Sequence, residues 1–192
     1  DGPSATYNAP VVLRLDGVPD EGALDAAVAD VVARHEVLRT VFPAADGEPY
    51  QQILDAPGAG LLGVVRCPPD RLDALVTACT REPLDITAHL PLRARLFVPE
   101  DPEEAGDSGD SGDLQDPASA TAAAGGTGAA GGTGAAGGTS AVLVLLLHHV
   151  STDGWSVAPL LRDLAQAYDA RSQGRRPAWD PRQGLARARP AS

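Results

Sequence analysis

The chain has 192 residues, 43% hydrophobic and 21% charged, with a formal net charge of −11. The length suits one domain or one lobe of a larger one. The composition is that of a soluble globular protein, and no apolar run approaches the roughly 20 residues needed to span a bilayer. The acidity is local. Residues 99–117, PEDPEEAGDSGDSGDLQDP, hold eight acids and no base, leaving 18 of the 26 acids against 15 bases elsewhere, a balance of −3. No basic face points to nucleic acid. Cys67 and Cys79 are the only cysteines; they lack metal-site spacing and are too few for a disulfide framework, so a reducing cytoplasm is expected. No basic segment followed by an apolar one marks a secretion signal. Because the chain begins at Asp1, it reads as an excised piece or a processed product.

In chain order, APVVLRLDG (9–17) predicts a strand closing in an Asp-Gly turn. Asp20 is placed to cap a helix, along which Leu24, Ala27, Val28, Val31, His35 and Leu38 fall on one face. DGEPYQQIL (46–54) reads as a turn and strand, and LLGVVRC (61–67) as another strand. Asp70 is expected to open a second helix, with Leu72, Leu75, Val76 and Cys79 on one side and Pro83 as its stop. PLRARLFV (91–98) alternates apolar and basic residues and predicts a half-exposed strand. A low-complexity segment follows over 99–139; its second part, GGTGAAGGTGAAGGT, repeats with a period of six and has no face to bury, so it reads as a flexible inserted loop. SAVLVLLLHHV is apolar on both faces and belongs inside a sheet covered on both sides. The last helix is expected in SVAPLLRDLAQAYDARSQG, capped by Ser156, with Pro159 in its first turn, Gly174 past its end, and Val157, Leu160, Leu161, Leu164 and Tyr168 buried. Strands and helices in this order make a layered α/β arrangement.

The apolar run ends in His148-His149, and Asp153-Gly154 follows four residues later. Neighbouring side chains on a strand point to opposite faces, so the two histidines have different tasks. One faces a covering layer and the other an opening. A histidine at a strand end in a cleft suits general-base work, although the same position also suits a purely structural residue. The pair is a poor metal site, because adjacent strand residues diverge and no third ligand lies at a suitable spacing. Asp153 can brace its turn by pairing with an arginine.

HHVSTDGWS (148–156) resembles the HHxxxDG signature of the condensation domains of nonribosomal peptide synthetases. RHEVLRTVF (34–42) is similar to a second motif of that family, RHExLRTxF, and SATYNAP (4–10) to the segment that precedes its first strand. The order and spacing agree, and the resemblance covers roughly 3–98 and 140–180.

The resemblance implies a chloramphenicol acetyltransferase-like α/β sandwich, of which residues 1–180 would be the N-terminal lobe only. The loop at 99–139 is then an insertion and 181–192 a disordered tail. The implied reaction is amide formation between a carrier-bound acyl or peptidyl thioester and a carrier-bound aminoacyl acceptor, in a tunnel between two lobes. His149 would be the catalytic histidine, as base or as positioner of the amine. His148 and Asp153 would be structural, with Arg34, or second Arg39, paired to Asp153. The Gly154 N–H would help to stabilise the tetrahedral intermediate. Implied partners are upstream and downstream peptidyl carrier domains, a C-terminal lobe and an adenylation domain of the same megasynthase, without nucleic acid or membrane. Phosphopantetheine would arrive on the carriers and would not be bound here as a cofactor. Epimerisation relatives usually lack the Gly-Trp-Ser continuation, and heterocyclisation relatives replace the histidines. The chain departs from the family pattern upstream of Ser4, in the 99–139 loop and after Trp179. A truncated, inactive remnant and a standalone acyltransferase of the same fold are the alternatives.

Overall fold

The computed structural model describes residues 4–100, 140–153 and 155–179. The elements are β1 (Asn8–Leu15), α1 (Glu21–Arg34), β2 (Thr40–Val41), β3 (Ala44–Ala45), β4 (Glu48–Pro49), β5 (Gln52–Ile53), β6 (Leu62–Cys67), α2 (Leu72–Thr80), β7 (Leu92–Pro99), β8 (Ala141–His148) and α3 (Val157–Ser172). The inserted loop and the tail expected from the sequence fall almost wholly on 101–139 and 180–192, outside the described residues, as does Gly154.

The main sheet has the order β1-β8-β7-β6. β6 and β7 run parallel, with α2 between them in sequence; β7–β8 and β8–β1 are antiparallel. The sheet has a core on each face. On one, Leu143, Leu145 and Leu147 of β8 pack with Ala94 and Leu96 of β7 beneath α1 and α3. On the other, Val142 and Val144 pack with Phe97 beneath α2. The period-two alternation of β8 thus feeds two cores, and for that reason its sequence is apolar throughout.

β7 is also central, although its alternation suggested a half-exposed strand. Its arginines do lie on one face and stay partly accessible. The carboxylate of Glu82, just past α2, bridges Arg93 and Arg95, which lets basic residues occupy an interior strand. The 46–54 segment makes two small ladders, β2 with β5 and β3 with β4. The β3–β4 turn has positive φ at Asp46 (51°) and Gly47 (85°), the conformation that suits a tight hairpin and the residue types that tolerate it.

α1 begins where the sequence predicted. The Asp20 carboxylate accepts the Ala23 N–H at 2.8 Å, a cap worth about 1 kcal/mol. The helix stops at Arg34, before the expected face ends, because His35 leaves helical geometry (φ −104°, ψ 97°). A 3-10 turn at Glu36–Arg39 nevertheless keeps Leu38 fully buried.

Two expected caps are corrected. Asp70 lies inside a 3-10 turn, Pro69–Arg71, and Arg71 precedes α2 without a side-chain cap. Pro68 and Pro69 preset the backbone of that entry. Ser156 gives α3 no side-chain cap either; its own N–H is held by Asp153 Oδ1 at 2.8 Å. Past α3, Gly174 takes φ +68°, the left-handed geometry that ends helices. Among the described residues no helix is long and apolar enough to cross a membrane.

Candidate functional site

β8 delivers both histidines to one end of the sheet. His148 is the last residue of β8, and His149 opens the turn that follows it. His149 is exposed and lines a hollow of about 310 Å³ with Val37, Val150, Ser151, Thr152, Asp153 and Ser156. Val37 comes from RHEVLR, so folding brings the two sequence motifs to one concavity. Among the described residues the His149 imidazole has no hydrogen-bond partner. His148 is partly buried, its ring centroid 5.8 Å from that of Tyr7, and its Nδ1 accepts the Val150 N–H at 3.1 Å. Burial, and secondly the neighbouring His149, push the His148 pKa below the ordinary imidazole value, so the ring is neutral and able to accept.

The bracing expected of Asp153 is corrected. The structure shows no ion pair between Asp153 and either Arg34 or Arg39. Asp153 is exposed and accepts from the Ser156 N–H and hydroxyl, hydrogen bonds that hold its pKa below the usual carboxylate value. It braces the 153–156 turn that leads into α3. Arg39 donates to the Leu54 carbonyl and lies 3.6 Å from Glu36.

Arg34 instead reaches α3. Its Nε–H donates to Asp163 Oδ2 at 2.8 Å, and His35 Nε2 lies 3.0 Å from the same oxygen. Asp163 and His35 are fully buried, and the Arg34 side chain is 10% exposed, with its guanidinium 4.7 Å over the Trp179 ring. Burial lowers the His35 pKa and the Asp163 charge opposes that shift, so a neutral imidazole donates to the carboxylate. This cluster pins the end of α1, and with it the Val37 wall of the hollow, to α3. Sequence reasoning missed Asp163. Its signal was a carboxylate on the buried stripe of Leu160, Leu164, Ala167 and Ala170, where an acid is expected only with a partner.

A larger apolar cleft, about 510 Å³, opens between β1, α1 and α3 and is lined by Leu13, Leu24, Leu161 and Tyr168, among others. It lies toward the start of β8, away from the histidines, and contains neither motif.

An exposed imidazole at a strand end, in a hollow walled by a separate helix–turn segment, defines a site suited to proton transfer or to orienting a nucleophile on an α/β sandwich. The condensation domain family model matches residues 1–103, and the chain belongs to that family. It is 39% identical over 182 residues to a dimodular nonribosomal peptide synthase of Bacillus subtilis, covering 94% of the chain and 6% of that protein. It is similar to the X-domain from teicoplanin biosynthesis, with a TM-score of 0.67 at 29% identity over 92% of the chain and 31% of that structure. The starter condensation domain of rhizomide synthetase shares the fold, with a TM-score of 0.63 at 18% identity, covering 93% of the chain and 35% of that structure. The chain therefore spans a small part of the curated relative and about a third of the solved structures. Its fold is the chloramphenicol acetyltransferase-like α/β sandwich of condensation domains.

Proposed function

We propose that this chain supplies the histidine-bearing N-terminal lobe of an amide-forming condensation domain. Its substrates would be an acyl or peptidyl thioester and an aminoacyl thioester, both delivered on the phosphopantetheine arms of carrier domains. The amine attacks the thioester carbonyl, a tetrahedral intermediate forms, and the carrier thiol leaves as the amide closes. His149 receives or orients the amine proton, and its exposed imidazole at the hollow shared by both motifs is the observation that carries the reading. His148 and Asp153 shape the turn before α3, and Arg34 and Arg39 hold the facing wall. The Gly154 N–H completes the proposal as a donor to the developing oxyanion. A C-terminal lobe would close the hollow into a tunnel, and an adenylation domain would load the acceptor carrier.

The test is His149→Ala in the full-length protein, with loaded carriers and intact-protein mass spectrometry of the acceptor carrier. Condensation should fall by about 10²-fold or more, the range of general-base contributions. Turnover near that of the wild type would reject the assignment.

A further inference from the structure

Beyond His148 the chain turns through His149, Val150 and Ser151, and each backbone donor of the turn is committed. His149 N–H donates to Tyr7 O at 2.8 Å, Val150 N–H to His148 Nδ1 at 3.1 Å, and Ser151 N–H to His148 O at 2.9 Å. Ser151 is 4% exposed. Its hydroxyl lies 2.8 Å from the same His148 carbonyl and 3.4 Å from the carbonyl of Pro91. One hydroxyl proton cannot serve both fully; the shorter contact takes it, and Pro91 is the weak branch. The Pro91 carbonyl also accepts the His148 N–H at 3.0 Å, so Ser151 sits where the end of β8 meets the entry to β7. A buried hydroxyl is costly unless bonded, and here both its bonds run to the frame of the turn. His149 has no side-chain tether among the described residues, so its direction follows the turn backbone.

We propose that Ser151 is a positioning residue for condensation: its hydroxyl clamps the 148–151 turn to the end of β8 and so aims the His149 imidazole into the hollow. This rests on the reading of His149 given above. The serine itself touches neither substrate nor reacting proton.

The experiment compares Ser151→Ala, Ser151→Thr and His149→Ala in the full-length protein, with rates per folded protein, and measures amide hydrogen exchange of the turn on Ser151→Ala and the wild type of that same protein. Ser151→Ala should lower kcat by about tenfold, part of the roughly 10²-fold that a 1 Å misplacement costs, while KM for the acceptor thioester stays put. Ser151→Thr, which keeps the hydroxyl, should recover most of that loss. In Ser151→Ala, exchange should quicken at Val150 and Ser151 while Val144–Leu146 stay protected. An unchanged kcat in Ser151→Ala beside a dead His149→Ala overturns the positioning role alone. An active His149→Ala overturns both it and the functional reading. Unchanged exchange at the turn amides also overturns the clamp, whatever the kinetics.

Discussion

Asp163→Asn removes one charge from the buried cluster and almost no volume. Asp163 is 2% exposed and faces Arg34 at 2.8 Å and His35 at 3.0 Å, with side-chain exposures of 10% and 0%. Removing one partner of a buried ion pair costs about 3–5 kcal/mol, because the other charge stays out of water without compensation. Arg34 keeps its place over the Trp179 ring, 4.7 Å from the centroid. The low end, about 3 kcal/mol, is therefore expected. With an m-value of about 2 kcal/mol/M, the urea midpoint should drop by about 1.5 M, read by far-ultraviolet circular dichroism. The double variant Arg34→Met/Asp163→Leu, which removes both charges and fills the space, should be more stable than Asp163→Asn. Asp153→Asn should leave the midpoint in place, since the exposed side chain keeps an oxygen that can accept from the Ser156 N–H. The reasoning is refuted if Asp163→Asn unfolds within about 0.5 kcal/mol of the wild type, the scatter of ordinary surface substitutions.

Other consequences follow from named contacts. Asp25 accepts the N–H groups of Gly60, Leu61 and Leu62 at 2.6, 2.8 and 2.9 Å. Asp25→Ala should cost about 2 kcal/mol and lower Tm by about 4–8 °C; an unchanged melt would show that water replaces the carboxylate. Acidification should also destabilise the fold. Burial depresses the pKa of His35 and of His148 below the ordinary 6.5, so their contribution to stability is present above pH 6.5 and lost as pH falls through the folded values. A urea midpoint that stays level between about pH 7 and pH 5 would contradict this, since the ordinary imidazole titrates inside that window. Cys67 and Cys79 are 5% and 2% exposed, and burial raises both thiol pKa values. Neither should react with a thiol reagent at neutral pH until urea unfolds the chain; rapid labelling of the native protein would place them wrongly.

The main elements and much of the core were legible because their signals are local. β8 reads as a doubly covered strand from its unbroken apolar run, and α1 from the Asp20 cap and the spacing of Leu24, Ala27, Val28 and Val31. The misread caps have local causes too: tandem prolines bend the entry to α2, and the Ser156 hydroxyl is drawn to Asp153, three residues before it, and leaves the helix N–H groups uncapped. The alternation of β7 was read correctly, but its central place was hidden. What makes two arginines tolerable there is Glu82, which arrives from a different element.

The site divides in the same way. That the motif residues stand together at a strand end follows from covalent order. Which carboxylate Arg34 chooses does not. Asp153 and Asp163 carry the same charge ten positions apart, and the choice between them depends on how α1 crosses α3 and which oxygen comes within hydrogen-bond reach in a buried site. The sequence alone determined most of the elements, the family resemblance and the choice of His149 as the candidate. Only the tertiary structure decided that Asp163 holds Arg34 and that Val37 stands beside His149, because those are meetings between segments more than a hundred residues apart, set by packing and not by any local preference.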